Sequence, residues 1–158
     1  MRWLARAAFR PVELHRVWGV RPTAVARLPA GRTFDVLDVP EEDFQAIVDA
    51  MSDMDRPFGP VFWDRGRLRW FVAPSDPRRI AALLADAGWP PTAASPVVVG
   101  FGQYVAVPSR SPGRNPSMWW VFPPTDDPQP MVDLSTMLML LARLVERRFG
   151  AGEAGSQA

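Results

Sequence analysis

The stretch Pro60-Val-Phe-Trp-Asp-Arg-Gly-Arg-Leu-Arg-Trp-Phe-Val-Ala73 decides the fold class of this chain. Its two halves are rich in β-branched and aromatic residues, which favour strands. They flank Asp64-Arg-Gly66, a sequence typical of a tight turn. We therefore predict an antiparallel hairpin with strands at residues 60–64 and 67–73.

The segments on either side of this hairpin predict another strand and two helices. Residues 33–39 alternate as a strand does and stop at Pro40. The acidic pair that opens residues 41–54 suits the positive end of a helix. Ser75-Asp76-Pro77 begins a second helix of about ten residues. The order strand, helix, hairpin, helix indicates an α+β fold with a mainly antiparallel sheet and packed helices.

Shorter patterns complete this layout. They predict helical pieces at residues 2–9 and 12–18, strands at 96–100, 103–108 and 117–122, and a closing helix at 131–149. The proline-rich residues 123–130 form a stiff connector before that helix. We expect one domain over residues 1–149 and a disordered, small and polar tail over residues 150–158.

Composition excludes several classes of function. The chain has 158 residues, of which 47% are hydrophobic, so one domain can bury a core without disulfides. It contains no cysteine and the single histidine His15, which excludes thiolate metal sites and multi-histidine zinc sites. We expect no cofactor, unless catalysis requires Mg²⁺ or Mn²⁺. Any catalysis must use carboxylates, hydroxyls and arginines.

Charge and hydropathy give further bounds. All 18 basic residues are arginine, a bias typical of a GC-rich bacterial genome, and the net charge is only +1. A phosphate-binding surface would therefore be a local patch. No window approaches the ~20 apolar residues of a membrane span, and the arginine-containing first ten residues do not resemble a secretory signal. We expect a cytoplasmic protein with no membrane partner.

Three segments resemble the bifunctional DNA primase/polymerase (prim-pol) domain family, in the family's order. They are Thr33-Phe-Asp-Val-Leu-Asp-Val-Pro40, Arg65-Gly-Arg-Leu-Arg-Trp-Phe-Val-Ala-Pro74 and Gly102-Gln-Tyr-Val-Ala-Val-Pro-Ser-Arg-Ser-Pro-Gly-Arg114. The resemblance implies an RRM-like palm. It also implies an active site in which paired strand acids, a further acid and a hairpin histidine serve metal-dependent nucleotide polymerisation.

The residues required for that chemistry are mostly missing. Asp35 and Asp38 are three apart, so in a regular strand they point to opposite faces and cannot share an ion without a bulge. Pro40 stands where the resemblance places the second metal ligand, and Leu68 lies at or near the histidine position. The strand 96–101 contains no carboxylate. Asp35 and Asp38 remain weak catalytic candidates.

The arginines of these segments, unlike the acids, are present. Arg65, Arg67 and Arg69 alternate, so their side chains are predicted to share one strand face. This face is solvated, or is neutralised by Asp35, Asp64 or Asp76, or binds phosphate. The loop at residues 108–114, after the predicted strand that contains Tyr104, supports the phosphate-binding alternative. It offers further candidate phosphate ligands, which are Ser109, Arg110, Ser111 and Arg114.

Aromatic residues offer base-stacking candidates. Tyr104, Trp119 and Trp120 could stack on bases, although core packing is the ordinary role of such side chains. Trp119 and Trp120 are adjacent on a strand, so one should face inward and the other outward. The outward residue is the better binding candidate.

The closing helix is apolar over more than one stripe. Either it is buried deeply within the domain, or a second face meets another chain as a homodimer or partner interface. The interface candidates are Met137, Leu138, Leu141 and Val145.

Three functional hypotheses follow. The leading one is a catalytically degenerate prim-pol-like protein that binds DNA or a nucleotide through the arginine-rich strand and loop in a regulatory role. The second is a protein-interaction or homodimerisation module that uses the closing helix. The third is an active metal-dependent primase or polymerase that recruits Asp38, Glu41 or Glu42 around one metal.

Overall fold

The computed structural model describes residues 2–55, 58–86, 96–109, 117–126 and 130–153, with the backbone alone for residues 2, 3 and 145–153. The helices are α1 (Arg2–Arg6), α2 (Pro11–Val20), α3 (Phe44–Asp53), α4 (Pro77–Asp86) and α5 (Leu134–Glu153), with a 3₁₀ turn at Glu41–Asp43 before α3. The strands are β1 (Ala26–Pro29), β2 (Asp35–Pro40), β3 (Val61–Asp64), β4 (Arg67–Val72), β5 (Val97–Val99), β6 (Tyr104–Val107) and β7 (Met118–Phe122).

The strands form two antiparallel sheets. The larger sheet has the order β5-β2-β4-β3-β7, and the smaller one pairs β1 with β6. In the larger sheet, β2 and β4 lie at the centre, where Asp38 is opposite Arg69 and Pro40 is opposite Arg67. The α+β fold with a mainly antiparallel sheet is therefore confirmed.

Each face of the larger sheet carries its own hydrophobic core, and β4 shows the division. Leu68, Trp70 and Val72 contribute to the core formed with α3 and α5, against which α4 also packs. Phe71 contributes to the core on the opposite face, which includes residues of α1, α2 and the smaller sheet. Because side chains alternate along a strand, Arg67 and Arg69 lie on the same face as Phe71.

The main differences from the predictions concern short elements and helix ends. Strand β1 was not predicted, because Ala26–Pro29 is only four residues long and its pairing with β6 comes from distant sequence. Helix α1 ends at Arg6, three residues earlier than expected. Helix α5 begins at Leu134, and it extends to Glu153 into the segment expected to be a disordered tail.

Helix α5 lies in the core of the chain itself. Leu134, Met137, Leu138, Leu140 and Leu141 are all buried. Of the two alternatives for its wide apolar surface, deep burial within the domain is the one observed. Along the described parts of the chain, no helix combines the length and the apolar character that a membrane crossing requires.

Candidate phosphate-binding site

The arginines of β4 are held in an ion-pair network on the sheet face they share with Phe71. The guanidinium of Arg67 donates to Asp38 Oδ1 of the neighbouring strand β2. Arg69 Nη2 lies 3.3 Å from Asp38 Oδ2 and 3.2 Å from Asp64 Oδ2. The two guanidiniums are thus balanced by two carboxylates, one on each side of β4.

Arg65 does not belong to this strand, so the predicted row of three arginines on one strand is wrong. Arg65 and Gly66 occupy the hairpin turn with positive φ values of 53° and 82°. Such a turn matches the twist of the paired strands. The Arg65 side chain is 83% exposed, and its Nε lies 3.9 Å from Asp64 Oδ1. It is the most solvent-accessible cation of the hairpin.

The carboxylates expected to be weak catalytic candidates lie in different environments. Asp38 is nearly buried and is bound by both β4 arginines. Asp35 lies on the opposite face of β2, as the three-residue spacing predicts, and the described residues of β2 pair without a register shift. A metal ion at Asp38 would have to displace two guanidiniums. Among the described residues, no group of three or more histidine or acidic side chains could hold a metal.

Asp35 is a buried carboxyl in an incompletely satisfied site. Burial raises its pKa, against the opposing effect of hydrogen bonds from the backbone N–H groups of Ser75 and Gly31. The Ser75 N to Asp35 Oδ2 distance is 2.8 Å, whereas Oδ1 has no hydrogen-bond partner in the described residues. Its hydrogen bonds connect the loops that contain Gly31 and Ser75.

Both ends of the candidate loop between β6 and β7 lie near the larger sheet. Ser109 is buried, and its carbonyl oxygen accepts a hydrogen bond from Trp120 Nε1 at 3.2 Å. At the other end, the carbonyl of Ser117 accepts a hydrogen bond from the backbone N–H of Arg65 at 3.2 Å. Arg110, Ser111 and Arg114 lie outside the described residues.

The three aromatic candidates do not form one surface. Trp120 packs against Phe62 and Phe71 in the core, so it is the inward residue of the adjacent pair. Trp119 is 41% exposed and stacks on Trp63 with ring centroids 4.0 Å apart. By strand alternation it lies on the face opposite to the arginines. Tyr104 is exposed at the start of β6. A continuous base-stacking platform beside the arginines is therefore not observed.

The expected interface residues of the closing helix are part of the core. Met137, Leu138 and Leu141 are at most 2% exposed in the single chain. They therefore have no surface to offer to a second chain. The side chain of Val145 lies outside the described part of the structure.

Two features of charge were not predicted from the sequence. Asp38, expected to be a degenerate metal ligand, is an ion-pair partner of the arginines, whereas Asp64 was an expected partner. A group of exposed arginines in and around α1, α2 and β1 was not predicted either. A count along the chain could have found this group, since the 34 residues before Asp35 contain seven arginines and one acidic residue.

Comparison of the chain with protein-family models, with curated proteins and with solved structures found no match. The prim-pol resemblance therefore stays a prediction from the sequence.

Proposed function

We propose that this protein is a non-catalytic, prim-pol-like domain that binds the phosphates of DNA or of a nucleotide in a regulatory role. The contact surface is the hairpin turn at Arg65, the adjoining Arg67 and Arg69, and the loop from Ser109 to Arg114. We refer to this set as the arginine hairpin surface.

The observation that carries the non-catalytic part is the environment of Asp38. The resemblance makes this carboxylate the first metal ligand of a polymerase, yet Arg67 and Arg69 both bind it. A guanidinium pair neutralises the charge that would attract Mg²⁺, and Pro40 supplies no second ligand. Binding without turnover is the chemistry that these residues support.

The proposal that this surface binds phosphate depends on the positive charge that the ion pairs do not neutralise. Arg65, Arg67 and Arg69 face two carboxylates, Asp38 and Asp64, so this ion-pair network contains one more cation than anions. The carboxylate of Glu41 also contacts the hairpin, where it accepts a hydrogen bond from Trp63 Nε1 on the opposite face of the sheet. Arg65 points into solvent, and the hydrogen bond from its backbone to Ser117 brings the end of the arginine-containing loop to the same turn. A planar guanidinium can donate two parallel hydrogen bonds to the oxygens of one phosphate.

The experiment is a binding titration of single-stranded DNA, duplex DNA and nucleoside triphosphate across a salt series, with and without Mn²⁺. Arg65→Glu should weaken binding about threefold to tenfold, because it replaces the exposed cation by an anion. The slope of log affinity against log salt should fall by about 1 for each lost phosphate contact. Arg67 and Arg69 are unsuitable for this test, because their removal leaves the buried carboxylate of Asp38 without its ion-pair partners.

Arg79→Glu is the matched control, because Arg79 is an exposed arginine on α4, away from the hairpin. It should bind like the wild type. Equal affinity of Arg65→Glu and the wild type would contradict the assigned surface. Triphosphate binding that requires Mn²⁺ would contradict the non-catalytic assignment and favour the polymerase hypothesis.

A further inference from the structure

A second cationic surface lies on the N-terminal elements and is independent of the arginine hairpin surface. Seven arginines and one acidic residue precede Asp35, whereas the remainder of the chain has eleven arginines and sixteen acidic residues. The near-zero net charge therefore conceals a strong separation of charge. The described arginines of this region are exposed, and those of α2 and its neighbours are Arg10, Arg16, Arg21 and Arg27.

These arginines, unlike those of β4, are scarcely neutralised. Arg10 pairs with Glu13 at 3.1 Å on the exposed surface of α2. In the described part of the chain, Arg16, Arg21 and Arg27 have no acidic partner. The guanidiniums of Arg16, Arg21 and Arg27 are exposed and accessible to an anionic ligand.

Apolar side chains are exposed among these arginines. Val12 is 81%, Val20 77% and Phe9 70% exposed, and Trp18 is the only buried residue of α2. Val12, Arg16 and Val20 are four residues apart, so they form one row along the helix. The outer side of α2 thus mixes apolar and cationic groups instead of separating them.

Two grooves lie along α2 and share Val17 as a lining residue. One has a volume of about 310 Å³ and lies between α2 and β1, with Leu14, Val17 and Ala26 among its lining residues. Arg10, Glu13 and Arg27 also line it, and Glu13 is the ion-pair partner of Arg10. The other, of about 250 Å³, is lined by Arg16, Val17, Val20 and Arg21. Each groove is lined by apolar side chains and by two arginines.

We propose that this N-terminal face, defined by α2, Phe9 and Arg27, binds an acidic protein segment that carries apolar side chains between its carboxylates. The grooves receive the apolar side chains, while the carboxylates pair with Arg10, Arg16, Arg21 and Arg27. Charge complementarity and groove shape together select this class of partner.

The same features disfavour the other anionic partners. The DNA backbone pairs with arginines but buries no valine, so it leaves the apolar row in water. A membrane-surface helix separates its apolar and cationic faces, whereas α2 mixes them. A bilayer surface also cannot fill grooves of this kind as single side chains can.

The test uses three synthetic peptides of equal length and fluorescence anisotropy with the full chain. The first alternates glutamate with leucine and phenylalanine. The second keeps the glutamates but replaces the apolar residues by serine, and the third keeps the apolar residues but replaces glutamate by glutamine. The first peptide should bind at least tenfold more tightly than either of the others.

Two variants locate the binding. Arg27→Glu and Val17→Ser alter exposed positions, so the fold should persist, and each should weaken binding of the first peptide about fivefold or more. Arg65→Glu and Arg79→Glu should leave it unchanged. This result separates the N-terminal face from the arginine hairpin surface, so either proposal can fail without the other.

Several outcomes would overturn the proposal. Equal binding of the serine peptide would show attraction by charge alone, and equal binding of the glutamine peptide would show non-specific apolar adsorption. Absence of binding by the first peptide would remove the surface from consideration. Binding of duplex DNA or of phosphatidylglycerol vesicles that Arg27→Glu abolishes, with no peptide binding, would assign the face to another partner.

Discussion

At the scale of the residue, Asp35 and Asp38 show how one strand creates two different carboxylates. Asp38 shares a face with two guanidiniums and is neutralised by them. Among the described residues, Asp35 on the other face accepts hydrogen bonds from the backbone N–H groups of Ser75 and Gly31, and its Oδ1 has no hydrogen-bond partner. Burial without a cation disfavours the charged form, so the pKa of Asp35 is raised.

The raised pKa of Asp35 predicts a specific dependence of stability on pH. The folded chain holds this proton to a higher pH than the unfolded chain, whose pKa is near 3.8. As pH rises from below 3.8 through the folded pKa, ionisation therefore lowers the free energy of unfolding, and the loss is complete above the folded pKa. Asp35→Asn cannot ionise and should escape this loss.

The measurement is urea unfolding of the wild type and Asp35→Asn between pH 3 and pH 8. The free energy of unfolding of Asp35→Asn, relative to that of the wild type, should increase as pH rises across this window. Asp86→Asn, at the exposed end of α4, provides a carboxyl-to-amide control. A difference between Asp35→Asn and the wild type that does not change with pH would be inconsistent with this account.

At the scale of the element, helix α5 begins where Asp133 caps it. The side chain accepts hydrogen bonds from the Thr136 backbone N–H at 2.9 Å and from the Thr136 hydroxyl at 2.7 Å. Ser135 also donates its hydroxyl to this carboxylate. The bond from the Thr136 backbone satisfies one of the N–H groups that the first turn of a helix leaves unpaired. Although partial burial acts to raise the pKa of Asp133, the hydrogen bonds from Ser135 and Thr136 lower it to about 2.

Asp133→Ala should lower the free energy of unfolding by about 1–2 kcal/mol at pH 7, the ordinary cost of a lost N-cap. Because the folded pKa is depressed, the ionised cap stabilises the fold above pH 3.8 and loses that effect as pH falls through about 2. Thermal unfolding at pH 7 and pH 2 measures both the loss of stability and its dependence on pH. Asp133→Asn retains a hydrogen-bond acceptor, so its free energy of unfolding at pH 7 should lie between those of the wild type and Asp133→Ala. A loss for Asp133→Ala that is as large at pH 2 as at pH 7 would argue against the charged cap.

At the scale of the whole molecule, the larger sheet separates two cores, and α5 fills one of them. Leu138 is 2% exposed, whereas its neighbour Met139 is 45% exposed. The two residues are adjacent on one helix and similar in size, yet only Leu138 faces the sheet. They therefore provide a matched pair for testing whether α5 serves the core or an interface.

Leu138→Glu should destabilise the fold by more than about 3 kcal/mol, since it buries an unpaired charge and removes core contacts. Met139→Glu should remain folded, with a change within about 1 kcal/mol. Circular dichroism melts and light scattering after size-exclusion chromatography measure stability and mass. A folded Leu138→Glu with half the mass of the wild type would instead identify a dimer interface.

The whole molecule also explains why net charge was a poor guide. A value of +1 suggests no electrostatic field, but the arginines before Asp35 and the acids after it occupy different elements. On β4 the two signs meet as ion pairs, whereas Arg16 of α2 and the neighbouring Arg21 and Arg27 are exposed. The local charge of each surface therefore depends on where the arginines and the acidic residues lie.

Local pattern in the sequence determined the α+β class, the hairpin around Arg65 and Gly66, the helices α3 and α4, and the opposite faces of Asp35 and Asp38. These features depend on periodicity and turn chemistry within a few residues. Only the tertiary structure decided that Asp38 pairs with Arg67 and Arg69, that β1 joins β6, and that α5 is buried. Such outcomes depend on strand register and packing between segments that are distant in sequence, which no local pattern encodes.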